Sequence, residues 1–481
     1  MRKKTMKINL TTVDLPIIHR NPVSVVLTDE TMAARKERFL EQLHVHSIDT
    51  AIIYADREHG ANFEYFTGFI PRFEEACLVI HASGESHLLL GNENVKMAAH
   101  SRIKANPIHV PFFSLPNQPM SGEKTLDHYF KESNISPDAK IGIIGWKIFT
   151  SSQYNNKDLF DLPFYVMDSL LNYVSTRDQL QNFTFSLTSP TVGLRTTYNA
   201  NELAHYEYGA SLAGLAMFNA LQEMSVGKSE KEVGALLAQD GQPNSVTTIS
   251  ATGQRFTNAI LYPRNKTIAL KDNYSLTVGY KGGLSSRAGF VISSEDQLPE
   301  NQKDYLDRVG KPYFKAYSTW LETLSIGISG DEFYTKIQEV FPSEIYGWTL
   351  NPGHYTSDEE WMSSPFFEGS KAVIQSGQLL QIDMIPSVPG YTGASCEEPI
   401  AIADETLRND LSQQYPKVWK RIEERRDYIK EVIGINLSDD ILPLSDTVAF
   451  YTPFLLNKTL AYTKEDYYSK ISPNGYPKRN I

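Results

Sequence analysis

The chain has 481 residues, enough for two or three domains that each bury a core, since a domain takes roughly 150 residues. Its 57 Asp and Glu outnumber 46 Lys and Arg for a net charge of −11, and no Lys/Arg cluster offers a surface to a phosphate backbone, which sets nucleic-acid binding aside. Cys77 and Cys396 stand far apart with no CxxC pair, against a disulfide scaffold or a zinc knuckle, and no apolar window reaches the roughly 18 residues of a membrane span or forms a signal peptide behind the basic start. The expectation is a cytoplasmic protein with no membrane partner.

In chain order, residues 28–43 predict a charged helix. Short apolar runs at 50–54, 63–69, 76–80, 87–90 and 140–145, broken by Gly68 and Gly84, predict strands of one sheet in an α/β domain over 1–175. Residues 176–194 are polar and turn-prone and predict a linker. Leu203, Ala210, Leu212, Ala213, Leu215, Ala216 and Ala220 give the next segment, 201–224, the apolar face of a helix that stops at Gly227. Ser229-Glu-Lys-Glu232 then reads as a capping box opening another helix.

A hundred positions later the pattern returns. Ser225-Val-Gly-Lys-Ser-Glu-Lys-Glu-Val233 aligns without gaps on Ser325-Ile-Gly-Ile-Ser-Gly-Asp-Glu-Phe333, each between a long helix and a capped one. Residues 195 to about 405 therefore read as two pseudo-repeated halves inside a domain over 195–430, with 431–481 as a C-terminal extension. Gly279-Tyr-Lys-Gly-Gly283 lies between strand-like runs and predicts a hairpin rather than a phosphate cradle. Gly227-Lys228-Ser229 fails as a P-loop because Gln222 holds the position of the earlier glycine, and Cys396 reads as a buried structural thiol.

The second half-repeat carries the residues with chemistry. His354 follows Gly353; Asp383 lies on the apolar run Leu379-Leu-Gln-Ile-Asp383; Glu397 is reached through the turn Gly393-Ala-Ser-Cys-Glu397. One imidazole and two carboxylates on neighbouring strands can act as metal ligands or as an acid/base set.

On these residues the chain resembles the pita-bread metallohydrolases, the family of methionine aminopeptidase, prolidase, aminopeptidase P and creatinase. The likeness takes in most of the chain, and Asn62-Phe-Glu-Tyr-Phe-Thr-Gly68-Phe69 is similar to a signature of the creatinase/prolidase N-terminal domain. It implies an α/β fold class: a creatinase-like N-terminal α/β domain plus a C-terminal pita-bread domain with pseudo-twofold α+β halves. The family's histidine ligand falls on His354 and its two glutamate ligands on Asp383 and Glu397. Its two hairpin aspartates have no counterpart, because Tyr274-Ser-Leu-Thr-Val-Gly-Tyr-Lys-Gly-Gly-Leu-Ser-Ser-Arg287 contains no acid; Thr277 and Leu284 or Ser285 stand near those positions, and Arg287 keeps the family's arginine. The family's later histidine is replaced around 361–365.

A two-metal centre needs bridging carboxylates, so the expectation is no cofactor, with a single divalent metal on His354, Asp383 and Glu397 as the alternative. The resemblance then implies a homodimeric hydrolase of a C–N bond in a small or dipeptide-like substrate. His354 would be its acid/base, Glu397 the orienter or water-activating base, and Asp383 a substrate anchor. Lys281, Arg287 and Arg264 are expected to replace the lost positive charge and select an anionic group, with Arg72 contacting substrate across the dimer. The alternatives are an Xaa-Pro peptidase running on one metal and an inactive binding protein on the same fold.

Overall fold

The computed structural model describes residues 2–118, 124–255, 257–260 and 262–470. They form two compact units, Leu27–Thr196 and Met1–Val26 with Thr197–Ile481. The first strand, β1 (Arg2–Thr12), belongs to the second of these.

In the unit Leu27–Thr196, α1 (Asp29–Val45) starts at Thr28, whose hydroxyl accepts from the Thr31 N–H at 3.2 Å. Next come β2 (Thr50–Ala55), α2 (Ala61–Thr67), β3 (Ala76–His81), β4 (Ser86–Leu90), β5 (Asn106–His109), α3 (Leu126–Glu132), β6 (Ile141–Ile144), α4 (Phe164–Tyr173), β7 (Leu180–Asn182) and α5 (Phe185–Thr188). The strands make one mixed sheet in the order β5-β4-β3-β2-β6-β7. Its central strands are buried along their whole length, as their unbroken apolar runs require.

Two elements differ from the sequence reading. Residues 63–69, expected as a strand, lie mostly in the helix α2. Phe63 and Phe66 are three apart and both fully buried, Asn62 is fixed by donating to the Gly145 carbonyl at 2.7 Å, and Gly68 ends the helix at φ +77° with its N–H on the Glu64 carbonyl at 2.8 Å. An apolar run this short fits either period. Within 176–194, expected as a linker, β7 pairs parallel to β6 through Leu180 opposite Ile141, and Phe183 and Leu187 are fully buried. Sparse apolar residues in a polar stretch, Leu180, Phe183 and Leu187, point inward there.

In the unit that holds the rest of the chain, the elements are α6 (Ala200–Glu223), α7 (Glu230–Gly234), β8 (Ile249–Thr252), β9 (Asn273–Tyr280), β10 (Gly283–Phe290), α8 (Lys311–Thr323), α9 (Gly330–Val340), α10 (Ser343–Tyr346), β11 (His354–Tyr355), β12 (Leu379–Ile382), β13 (Glu398–Ile402), α11 (Glu405–Gln414), α12 (Pro416–Tyr428), β14 (Ile441–Pro443) and β15 (Leu460–Lys470). Antiparallel sheets β10-β9-β8 and β11-β12-β13-β14 are linked by a bridge between Ala288 and Ser395.

The hundred-residue repeat is geometric as well as sequential. Ser229 and Ser329 each cap the next helix, their own N–H groups donating to Glu232 at 2.7 Å and Glu332 at 3.0 Å. Gly227 and Gly327 take φ of +93° and +92° and donate to the carbonyls of Ile268 and Ile374. β1 and β15 pair antiparallel from Arg2 opposite Lys470 to Thr12 opposite Leu460. Residues 2–12 therefore sit with residues 460–470, and residues 431–470 carry β14 and β15 of the same unit rather than an appendage. Met6, Ile8 and Leu10 alternate along β1, and all three pack on the core that α8 and β12 share.

Candidate active site

The site is assembled at the ends of three short strands. His354 opens β11 and stands opposite Gln381 of β12. Gly353 before it has φ +134°, and a Cβ there would lie 2.8 Å from the Gln381 carbonyl, so the Gly-His step is a packing requirement. Ile382 faces Glu398, and one step beyond that ladder Asp383 and Glu397 stand across from each other. Like charges directly opposite on a strand pair repel.

His354 is fully buried. Its Nδ1 lies 3.0 Å from the Tyr355 carbonyl, which only accepts, so Nδ1 holds a proton and Nε2 is the atom that exchanges one. Nε2 is 3.0 Å from Glu360 Oε1 and 3.9 Å from Asp383 Oδ2 at ion-pair distance, without a made hydrogen bond, and the ring stacks on Trp361 with centroids 4.1 Å apart. Burial alone would lower the His354 pKa, but Glu360 and Asp383 outweigh it and the imidazolium is favoured. Burial pushes Asp383 up, with His354 pulling back toward the charged form. Glu397 is also pushed up, by burial first and then by Asp383 and Glu360, with Ser286 and Ser395 opposing. The Ser395 hydroxyl donates to Glu397 Oε1 at 3.0 Å, and Ser286 and Ser395 hydrogen-bond each other.

A cavity of about 440 Å³ opens here, lined by Glu360, Trp361, Asp383, Glu397, Thr277 and Arg255 among others. His354 is not part of its wall, which corrects the expectation of a histidine facing substrate: Trp361 takes the surface position and the ring lies buried against it. Glu360 and Trp361 were not read as site residues; the acidic run Asp358-Glu-Glu360 soon after His354 was the available signal.

The basic residues expected to bind an anion are engaged elsewhere. Arg287 donates to Glu398 at 2.7 Å and to the carbonyls of Thr447, Phe450 and Ser286 at 2.6, 3.0 and 2.6 Å, all buried. Glu398 lies close in sequence to Glu397 but takes the opposite strand face. Arg264 makes a two-pronged contact with buried Glu230, at 2.9 and 2.7 Å. Lys281 occupies the β9–β10 turn, 3.7 Å from Asp358, and lines a different cavity with His205 and Tyr208. Arg72 is exposed in the unit Leu27–Thr196. The basic group that does reach the site cavity beside Arg287 is Arg255, half buried.

The donor set also bears on the metal question. On the hairpin, Thr277 pairs with Ser286, so hydroxyls face the position where two carboxylates would bridge cations. No three of His354, Glu360, Asp383 and Glu397 bring donor atoms within 4.8 Å of one another. These residues do not fit a dinuclear centre, and they hold a single ion only after rearrangement. Cys396, fully buried, has its thiol pushed up to about 12 by burial and is no nucleophile.

No protein-family model matches the chain, and no curated protein does at a significant level. Solved structures do. Prolidase from Pyrococcus furiosus is 18% identical with a TM-score of 0.56, over 76% of this chain and 96% of that one. The Xaa-Pro dipeptidase from Bacillus anthracis is 17% identical at TM-score 0.57, over 78% and 96%. X-Pro aminopeptidase from Thermotoga maritima is 15% identical at TM-score 0.58, over 77% and 95%. The chain has the α/β pita-bread fold of these peptidases. Identities this low carry the fold and leave the chemistry to the residues. Among the described residues, no helix is long and apolar enough to cross a membrane.

Proposed function

We propose that the chain is a metal-independent hydrolase of a C–N bond in a small substrate, with Asp383 and Glu397 as its working pair. The observation that carries this is their difference in environment. They face each other across β12 and β13, yet only Asp383 has the His354 cation within 3.9 Å, while Glu397 has two serine hydroxyls and deep burial. Environments that push two carboxyls apart assign base and acid. Asp383, pushed up by burial to only about 6 because His354 pulls it back toward its charged form, accepts a proton from water; Glu397, pushed up to about 8 and held neutral, gives one to the departing nitrogen. His354 positions Asp383 and Glu360 from behind the wall and keeps charge balanced as the protons move. Leu350, Trp361 and Ile385 give the cavity an apolar rim, suited to an apolar group on the substrate.

The test is hydrolysis of Xaa-Pro dipeptides and small N-substituted amides and ureas, with and without chelator. Turnover should resist chelation and fall about 10²–10⁴-fold in Glu397→Gln and in Asp383→Asn. Activity lost to chelator and restored by manganese returns the site to the single-metal peptidase reading. A second reading, a binding protein on this fold, is favoured by one observation, the burial of His354 against Trp361. Ligand binding without turnover, weakened by the same variants, selects it.

A further inference from the structure

A second cluster of ligand-type side chains lies in the other unit, with no part in the chemistry above. β3 ends at His81 and β4 begins at Ser86, and their hairpin is closed by the His81 N–H on the Glu85 carbonyl at 2.9 Å and the Gly84 N–H on the His81 carbonyl at 2.8 Å. The turn brings His81, Glu85 and His87 together so that one donor atom from each lies within 4.8 Å of the other two. Both histidines are buried, and Glu85 is exposed.

We propose that His81, Glu85 and His87 form a site for one divalent transition ion, zinc being the best match. The His81 tautomer is fixed: its Nε2 lies 2.7 Å from the Ser133 carbonyl and must donate to it, leaving the lone pair on Nδ1. A carbonyl behind a ligating imidazole is the usual second contact that fixes its tautomer. Nδ1 meets the buried Thr50 hydroxyl at 2.8 Å. On His87, Nδ1 is buried with no hydrogen-bond partner and Nε2 lies 3.0 Å from Glu85 Oε1. The Asn134 amide donates to the same carboxylate at 2.9 Å and orients it.

Two imidazoles and one carboxylate, with solvent on the Glu85 side for a fourth ligand, match the ligand types and open position of a four-coordinate zinc ion. Bonds of about 2.0–2.2 Å put tetrahedral ligand atoms roughly 3.3–3.6 Å apart, so closure from the 4.8 Å bound needs at most about 1.2–1.5 Å. Nitrogen-rich sites of this kind prefer zinc and its neighbours over magnesium or calcium. An ion there would staple the β3–β4 hairpin.

The experiment uses the full chain stripped of metal by chelator, titrated with Co²⁺ in the visible region and with Zn²⁺ by calorimetry. One Co²⁺ per chain should bind with the absorption of a tetrahedral site, be displaced by Zn²⁺, and raise the melting temperature. Glu85→Gln should weaken binding at least about tenfold and His87→Ala should abolish it, whereas Asp383→Asn, in the other cluster, should leave it unchanged. Should His87→Ala fail to fold, the exposed Glu85→Gln decides alone. Absence of binding, binding indifferent to Glu85→Gln, or loss of binding in Asp383→Asn overturns the assignment.

Discussion

Arg287 shows how a side chain of functional type can be wholly structural. Its guanidinium is ringed by Glu398 and three carbonyls, and Glu398 also accepts from Ser285 and Thr447. Removing one partner of a buried pair leaves a bare charge, so Arg287→Ala should lose about 3–5 kcal/mol of stability, read by denaturant unfolding. An intact melting curve would show that the pair is dispensable. The carboxylates of the cavity behave in the opposite sense. Glu397 has a folded pKa above its unfolded value near 4.3, so the folded state holds the extra proton and its stability falls as pH rises from about 4 through the folded pKa, by up to about 1.4 kcal/mol per unit. Glu397→Gln escapes this loss. Its melting temperature relative to the native chain should therefore climb between pH 5 and 8; a flat difference would mean that Glu397 is not protonated in the fold.

Residues of this site were legible to different degrees. His354, Asp383 and Glu397 stand on or beside short apolar strands with a Gly-His step and a Gly-rich turn before them, local features that a sequence displays. Glu360 lies in an irregular loop, and nothing periodic marks it. The role of Arg287 was out of reach for another reason: its partners lie 111, 160 and 163 residues away, and only the folded sheets bring them together.

At the scale of elements, the matching caps at Ser229 and Ser329 are the part of the fold most plainly written in the sequence. A Ser with a Glu three positions on satisfies two orphan N–H groups whatever surrounds it. Ser229→Ala and Ser329→Ala should each cost about 1 kcal/mol, and the double variant about twice that, because the two caps share no contacts. A double variant far from additive would mean that the half-repeats communicate. The helix α2 marks the limit of the same method. Its seven residues carry too few turns for a period to declare itself, and the anchors that settle it are Gly145 and Arg195, the latter donating to Asn62 at 2.7 Å.

For the larger unit as a whole, its opening segment is tied down by charge as well as by β1. His19 lies 2.9 Å from Asp446 and 2.7 Å from Glu424, and Asp446 also meets Arg425, which in turn holds buried Glu207. Burial would raise Asp446, but Arg425 and His19 bring it down to about 2. His19 is raised, its hydrogen bond to Asp446 being the largest cause. A depressed carboxylate contributes its stability above about pH 4 and loses it as pH falls toward 2; a raised histidine contributes fully below about pH 6.5 and loses it as pH rises through the folded value. His19→Ala should therefore lower the melting temperature more at pH 5 than at pH 8.5. Equal losses at the two values would show that His19 acts through packing alone.

The pairing of Arg2 with Lys470 has a consequence for how the protein is made. A ribosome adds about 5–20 residues per second, so β1 leaves the exit tunnel tens of seconds before β15 exists. Through that interval the unit Leu27–Thr196 has its whole sheet available and is free to close, whereas Met6, Ile8 and Leu10 have nothing to cover them. An unpaired apolar strand on a nascent chain is a natural target for a chaperone that binds extended segments, and a hazard where many ribosomes share one message. Lys7, between Met6 and Ile8 on the strand, supplies charge that keeps neighbouring copies from adding to its edge while it waits.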